Sequence, residues 1–310
     1  MTDEFNPTST AWIVSPLKGV VLDKSEYAFG DNLSLIRVSQ QLLGARSELF
    51  LSKVQFELVG KAPWYLALRI PESPSNAVDL HQAVEPLLDA LMAFQIVKPI
   101  ETYGLVFCGI EHWGGGMHWQ SNSDRRWGMV AGPWAQLRTF DEPLLKRAQS
   151  IMNPVREIMV GSDVAMRNAI HLLQLALEHP HPYVSCLMAV TGIETALGGC
   201  DNRRDFEKKI CDLLGAGTLA FPDWNSPTTP PLGYTVKELA VHLYTLRSKI
   251  AHGANLASAA QDKNSPVDLA ALKDYIAESD RVRYAALLGE SSIYLLGQVL
   301  QTVLRMTKNN

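Results

Sequence analysis

The sequence predicts an α+β protein in two parts: a mixed α/β domain over residues 1–140, then an all-α helical bundle over residues 141–310. Three observations carry this reading. In the first half apolar residues come in short runs, several alternating, bounded by Gly, Pro, Asn, Asp or Ser, with one helical stretch among them. After Phe140 the apolar spacing changes to threes and fours in successive segments separated by capping residues. The 310 residues, 47% of them hydrophobic, can bury substantial cores, and the length suggests two domains.

The strand candidates of the first half are Ala11–Val14, Gly19–Leu22, Leu33–Val38, Leu51–Val59 and Trp64–Ile70, the last closed by Pro71. Ala77 to Val97 switches to helical spacing, with Val78, Leu80, Val84, Leu87, Leu88, Leu91 and Phe94 forming its apolar stripe. Strand character returns at Tyr103–Cys108. The segment 111–134 is dense in Trp and Gly: His112, Trp113, Gly114 to Gly116, His118, Trp119, Arg125, Arg126, Trp127 and Trp134. Its tryptophans suit anchoring of a Gly-rich loop to its own domain, and aromatics interleaved with arginine also suit stacking on nucleobases. No cysteine or paired carboxylate joins the two histidines in a metal-ligand set.

In the second half Asp141 is the expected N-cap of a helix running from Pro143 to about Val160. Ser162 or Asp163 caps the next, Val164 to His179, which stops at Pro180 and Pro182. A third runs from about Tyr183 to Leu197 and ends in Gly198-Gly199; a fourth spans about Asn202 to Leu214. Residues 215–233, rich in proline, form a surface loop. A fifth helix follows, carrying Val236, Leu239, Ala240, Leu243 and Leu246 at helical spacing. Ser265-Pro266 opens the final helical region, which runs to about Met306 with Gly289 as a candidate break.

Charge limits the partners. The formal net charge is −4, and neither half is basic: residues 1–140 hold 11 Lys+Arg against 14 Asp+Glu, and residues 141–310 hold 17 against 18. Bulk, nonspecific phosphate binding uses a basic face or tail, so any nucleic acid must be met locally or recognised as a folded object. No apolar run approaches eighteen residues, so no membrane partner is expected. The N-terminus lacks a basic start and an apolar core, so no secretory signal is expected. Cys108, Cys186, Cys200 and Cys211 form no CxxC pair and suit reduced, mostly buried thiols, which makes the cytoplasm the expected compartment.

The chemistry concentrates at the end of the fifth helix, Leu243-Tyr244-Thr245-Leu246-Arg247-Ser248-Lys249-Ile250-Ala251-His252-Gly253. It delivers a guanidinium near the helix end and an imidazole at it, with Gly253 suited to the turn beyond. Histidine moves protons near neutral pH, and arginine grips a phosphate by a two-pronged contact. The five-residue step turns an α-helix by about 500°, so Arg247 and His252 stand about 140° apart on an unbroken helix. Either the helix unwinds around Ala251-His252, or a working site gathers residues from two helices. Glu194, on the apolar segment Val190–Leu197, is expected to pair with Arg247 or the motif, because a buried carboxylate without a partner is costly.

The Arg-x4-His segment resembles the signature of the HEPN superfamily of nucleotide-binding helical domains, and looks closest to the Apea-like branch found in bacterial anti-phage proteins. Val190–Leu197 with its acid, the segment Arg204–Leu214, and Leu243-Tyr244 leading into the arginine fit that branch in order. The resemblance covers roughly residues 141–306. It implies a helical bundle that dimerises, or forms a larger even assembly, with two motif helices at a two-fold axis. It implies a metal-independent endoribonuclease of phage-defence or toxin type, without cofactor or metal, acting on structured RNA such as tRNA. In that reading His252 is the base or acid, Arg247 stabilises the pentacoordinate phosphate, and Ser248 and Glu194 orient the site. The first domain would then sense a phage-derived trigger or a regulatory partner. Ser248 departs from the Asn, Asp or His that many active members carry there; serine keeps one donor and two acceptor lone pairs with a shorter reach. The alternative is a non-catalytic HEPN dimer that binds a partner or a nucleotide ligand.

Overall fold

A computed structural model describes residues 12–37, 64–70, 77–102, 106–108, 140–179, 182–221, 233–252 and 281–308. The strands are β1 (Trp12–Lys18), β2 (Glu26–Ala28), β3 (Leu33–Arg37), β4 (Trp64–Arg69), β5 (Glu101–Thr102) and β6 (Val106–Cys108). The helices are α1 (Ala77–Val97), α2 (Glu142–Val160), α3 (Val164–Glu178), α4 (Pro182–Ala196), α5 (Arg203–Leu214), α6 (Val236–Ala251) and α7 (Arg281–Lys308). The protein is mixed α+β and mostly helical, and among the described residues every strand lies before residue 140. The expected strand over 51–59, the segment 111–134 and residues 265–280 lie outside the described residues.

The chain divides into two compact units. The first takes the described residues up to 94, 100–108 and 140–152; the second takes 95–99 and everything described from 153 onward. Residue 140, where the sequence changes texture, falls inside the first unit, which extends to 152. Phe140 is fully buried, bridges Val20, donates its N–H to the Gly19 carbonyl (2.8 Å) and accepts from Val21 N–H (2.9 Å). The run Gly19–Leu22, expected as a strand, contributes only that one bridge.

The sheet of the first unit has the order β2-β3-β4-β1-β5, with β6 also on β1, and all of its pairings are antiparallel. Ile13 stands opposite Leu68, Ser15 opposite Leu66 and Leu17 opposite Trp64; on the other side of β4, Leu35 stands opposite Leu66. Strand β4 is buried from Trp64 through Leu68, which explains its unbroken apolar run. On α1, Val84, Leu87, Ala90 and Phe94 face inward, while Leu88 is exposed. Phe94 joins an aromatic chain from Tyr27 through Phe29 to Phe140, with centroids 5.0, 5.4 and 5.2 Å apart. The start of α2 docks on the same unit: Lys24 pairs with Glu142 at 3.1 Å, and Tyr27 Oη donates to Gln149 Oε1 at 3.0 Å.

In the second unit α4 is the central helix, packed on α3, α6 and α7. Its sequence explains this: Glu194 is its only charged residue, and a helix apolar on all sides belongs inside. Gly192 lets α7 come close, because a Cβ there would meet Leu296 Cδ2 at 2.7 Å. Caps set the other limits. Asp141 Oδ1 accepts from Leu144 N–H, Asp163 Oδ1 from Met166 N–H, and Asn202 Oδ1 from Arg204 and Asp205 N–H. Helix α7 runs unbroken through Gly289, contrary to the expected break there. Gly289 is buried within the helix and its carbonyl accepts from Ser292 Oγ at 2.7 Å. Gln301 Nε2 of α7 donates to the Ile96 (3.1 Å) and Val97 (3.4 Å) carbonyls, which accounts for two of the residues that α1 contributes to this unit.

Candidate functional site

Helix α6 presents the Arg-x4-His segment, and its N-terminus is firmly anchored. Thr235 and Glu238 form a reciprocal capping box: Glu238 N–H donates to Thr235 Oγ1 (3.3 Å), and Thr235 N–H donates to Glu238 Oε2 (2.8 Å). The pattern Thr-x-x-Glu ahead of an apolar run is the signal that marks this start in the sequence. Val236, Leu239, Ala240, Leu243 and Leu246, the expected apolar stripe, are all buried. His242 joins them at 3% exposure, its ring 6.2 Å from that of Tyr234, and burial pushes its imidazole down to about 4. His171 and His179 are exposed.

Arg247 and Glu194 meet, as the buried acid required. Arg247 Nη2 lies 3.0 Å from Glu194 Oε2, with the arginine side chain about one third exposed (32%) and the glutamate largely buried (12%). Burial pushes the Glu194 carboxyl above its ordinary range, against the charge and hydrogen bond of Arg247, which pull it down. The Arg247 guanidinium also lies 5.8 Å from the centre of the Tyr244 ring, and that ring packs on buried Phe206 of α5 at 5.1 Å. Tyr244 thus serves as a packing surface under the cation. Nε of Arg247 is buried and has no hydrogen-bond partner among the described residues.

Three helices hold this arrangement. The turn of α4 bearing Glu194 is closed by Gly198 and Gly199, at φ 76° and 87°, with Gly199 N–H donating to the Glu194 carbonyl and Gly198 N–H to that of Thr195. This is the double hydrogen bond of a left-handed helix stop, for which glycine is suited. Lys209 of α5 donates to the Gly199 carbonyl (2.7 Å) and pairs with Asp205 (2.9 Å), so α5 braces the same stop. Burial, partly opposed by Lys209, raises the adjacent Cys200 thiol to about 11, and the buried Cys186 thiol stands at about 12. Both are protonated near neutral pH, which removes the thiolate a nucleophile needs.

Ser248 is half-buried and His252 exposed. Helical bonding continues to the end of α6, where His252 N–H donates to the Ser248 carbonyl at 3.1 Å. His252 is the C-cap of the helix, with φ −93° and ψ 14°, outside the helical region. The helix stays wound through Ala251 and stops at His252. The imidazole stays about 140° around the helix from the guanidinium. Gly253 lies outside the described residues, as do His112 and His118. Among the described residues no three His, Cys, Asp or Glu side chains gather into a metal-ligating cluster, and no helix is long and apolar enough to cross a membrane.

Within one chain the arrangement offers two surfaces at the end of α6. One is a half-buried cation braced by an acid and an aromatic ring; the other is an exposed imidazole on a different side. No family model matches the chain, and no curated protein or solved structure matches it either.

Proposed function

We propose that this protein is a metal-independent endoribonuclease of the HEPN type, acting in the cytoplasm in phage defence, with a site composed from two copies of α6. The observation that carries the reading is the unbroken end of α6. Arg247 is held by Glu194 and Tyr244, while His252 is turned about 140° away. A single chain cannot bring both to one phosphate. A two-fold axis beside α6 sets the same patch against itself, so the imidazole of one copy reaches the phosphate held by the guanidinium of the other.

The chemistry follows from the groups. One His252 removes the proton of a ribose 2′-hydroxyl, whose oxygen attacks the adjacent phosphorus. The second copy's His252 protonates the departing 5′-oxygen. The products are a 2′,3′-cyclic phosphate and a free 5′-hydroxyl, so atoms and protons balance without a co-reactant. Arg247 stabilises the charge of the pentacoordinate phosphate. Glu194 fixes the guanidinium's direction, and Ser248 adds a hydroxyl beside it. Structured RNA such as tRNA is the substrate class that suits an acidic chain, and the first unit receives the trigger.

One observation favours a second reading, a HEPN dimer that binds a partner or nucleotide without cleavage. Glu194 already neutralises Arg247, and Ser248 supplies only a short hydroxyl beside it. A single set of measurements separates the two. The nuclease reading expects an even oligomer by light scattering, growth arrest with RNA cleavage on expression or phage challenge, and activity that survives EDTA. The 5′ fragment should end in a cyclic phosphate, and Arg247→Ala or His252→Ala should each abolish cleavage, since groups acting as a unit are lost together. Intact RNA with a folded, triggered dimer moves the assignment to the binding module. A monomer active as such removes the composite site.

A further inference from the structure

Helix α5 carries a cluster of cations that the site described above does not use. Arg203, Arg204 and Lys208 are all exposed and have no ion pair or side-chain hydrogen bond among the described residues. Other cations of the second unit are engaged. Lys209 holds Asp205, Lys237 reaches Glu207 at 3.5 Å, Arg247 holds Glu194 and Arg167 donates to the Gly161 carbonyl. Arg156, Lys249 and Arg305 have interactions as well.

The placement of the two arginines runs against local electrostatics, whereas Lys208 also acts on nearby Asp205. Arg203 and Arg204 occupy the first turn of α5, where the helix dipole disfavours positive charge. Arg204 and Lys208 are four residues apart on one face, a like-charge pair that weakens a helix. Such a conflict in an acidic chain calls for a compensating contact. Arg204 and Lys208 each lie about 200° around the helix from Phe206, so they project away from the α6 seam, while Arg203 lies about 60° from Phe206, on the side toward it. Besides these cations the exposed residue of α5 is Asp212, and no large apolar side chain of the helix is exposed. A protein interface needs an apolar centre; this face has only charge, which suits a phosphate backbone.

We infer that Arg203, Arg204 and Lys208 form a phosphate-contact surface for RNA, which binds the backbone beside the Arg247 site while that site cleaves. The inference rests on the nuclease reading for its substrate. Its geometry stands independently, because α5 packs on α6 through Phe206 and Tyr244 and therefore lies about one helix diameter from Arg247. An RNA that passes from the outer face of α5 over Arg203 toward α6 would meet both.

The test uses the full-length His252→Ala protein, so that RNA stays intact, with tRNA as the probe and salt varied from about 50 to about 200 mM. Changing Arg203, Arg204 and Lys208 together to Gln should reduce the slope of log affinity against log salt by about 2. The parent protein should therefore lose roughly 20-fold more affinity than the variant across that range. An Arg203→Lys, Arg204→Lys protein should keep the parent slope, which separates charge from misfolding. An unchanged slope in a folded triple variant overturns the surface. So does unchanged tRNA affinity with a changed oligomeric state, which would assign the face to a protein partner. Wild-type tRNA cleavage is measured alongside. Cleavage with an unmoved slope sinks this surface alone, and a reduced slope without cleavage sinks the nuclease reading alone.

Discussion

Acidification should unseat α6 through His242, five residues before Arg247 on the same helix. The imidazole is 3% exposed and burial holds it neutral, lowering it from 6.5 to about 4. The unfolded chain binds this proton at the higher pH, so the stabilising contribution is complete above about 6.5 and is lost as pH falls toward about 4. Each unit of separation is worth about 1.4 kcal/mol, so the whole span is worth about 3 kcal/mol. Of this, about 2–3 kcal/mol disappears between about pH 7 and about pH 4.5. Glu194 works with the opposite sign: its raised carboxyl is easier to protonate in the folded chain, so acid relieves a strain there. Glu142 and Asp205, both lowered by lysine partners, lose their contribution in acid along with His242. Urea unfolding of the wild type and of His242→Leu at both pH values isolates the histidine, since the carboxylates are common to the two. The wild type should lose about 2–3 kcal/mol more than the variant on acidification. Parallel losses in the two proteins would refute the argument.

Two further outcomes follow from packing and from the ion pair. Gly297→Ala should lower urea stability by about 2–3 kcal/mol, because its Cβ would run into the Ile96 backbone carbonyl, whereas Gly192→Ala meets a movable Leu296 side chain and should cost about 1 kcal/mol. Equal effects would contradict the distinction between backbone and side-chain neighbours. Glu194→Gln keeps the shape of the acid and removes its charge; with Arg247 a third exposed, the stability loss should stay near 1 kcal/mol. On the proposed nuclease reading, cleavage should nevertheless fall by about 10–100-fold, since a misaimed guanidinium costs far more in rate than in folding. Undiminished cleavage would remove Glu194 from the site.

Helix limits were legible in the sequence because the forces that set them act within a few residues. Asp141, Asp163 and Asn202 accept the first free N–H groups of their helices, and Gly198-Gly199 closes α4. The apolar stripe of α6 was readable for the same reason, and the 140° separation of Arg247 and His252 followed from helical geometry alone. The need for a partner to Glu194 was also legible, since burial of a carboxylate demands one. Three things belonged to the tertiary structure. Phe140 and the start of α2 join the sheet unit because hydrogen bonds to Gly19, Val21, Lys24 and Tyr27 hold them there, about 120 residues away in sequence. Gly289 lies inside α7 because packing outweighs the weak helix propensity of a single glycine. And Phe206 sits under Tyr244, which in turn lies beneath Arg247, because α5 and α6 pack at that point. Caps and periodicity are local and leave a mark at fixed spacing; which side chain faces which across a seam depends on how whole helices fill space, and no short run of residues encodes that.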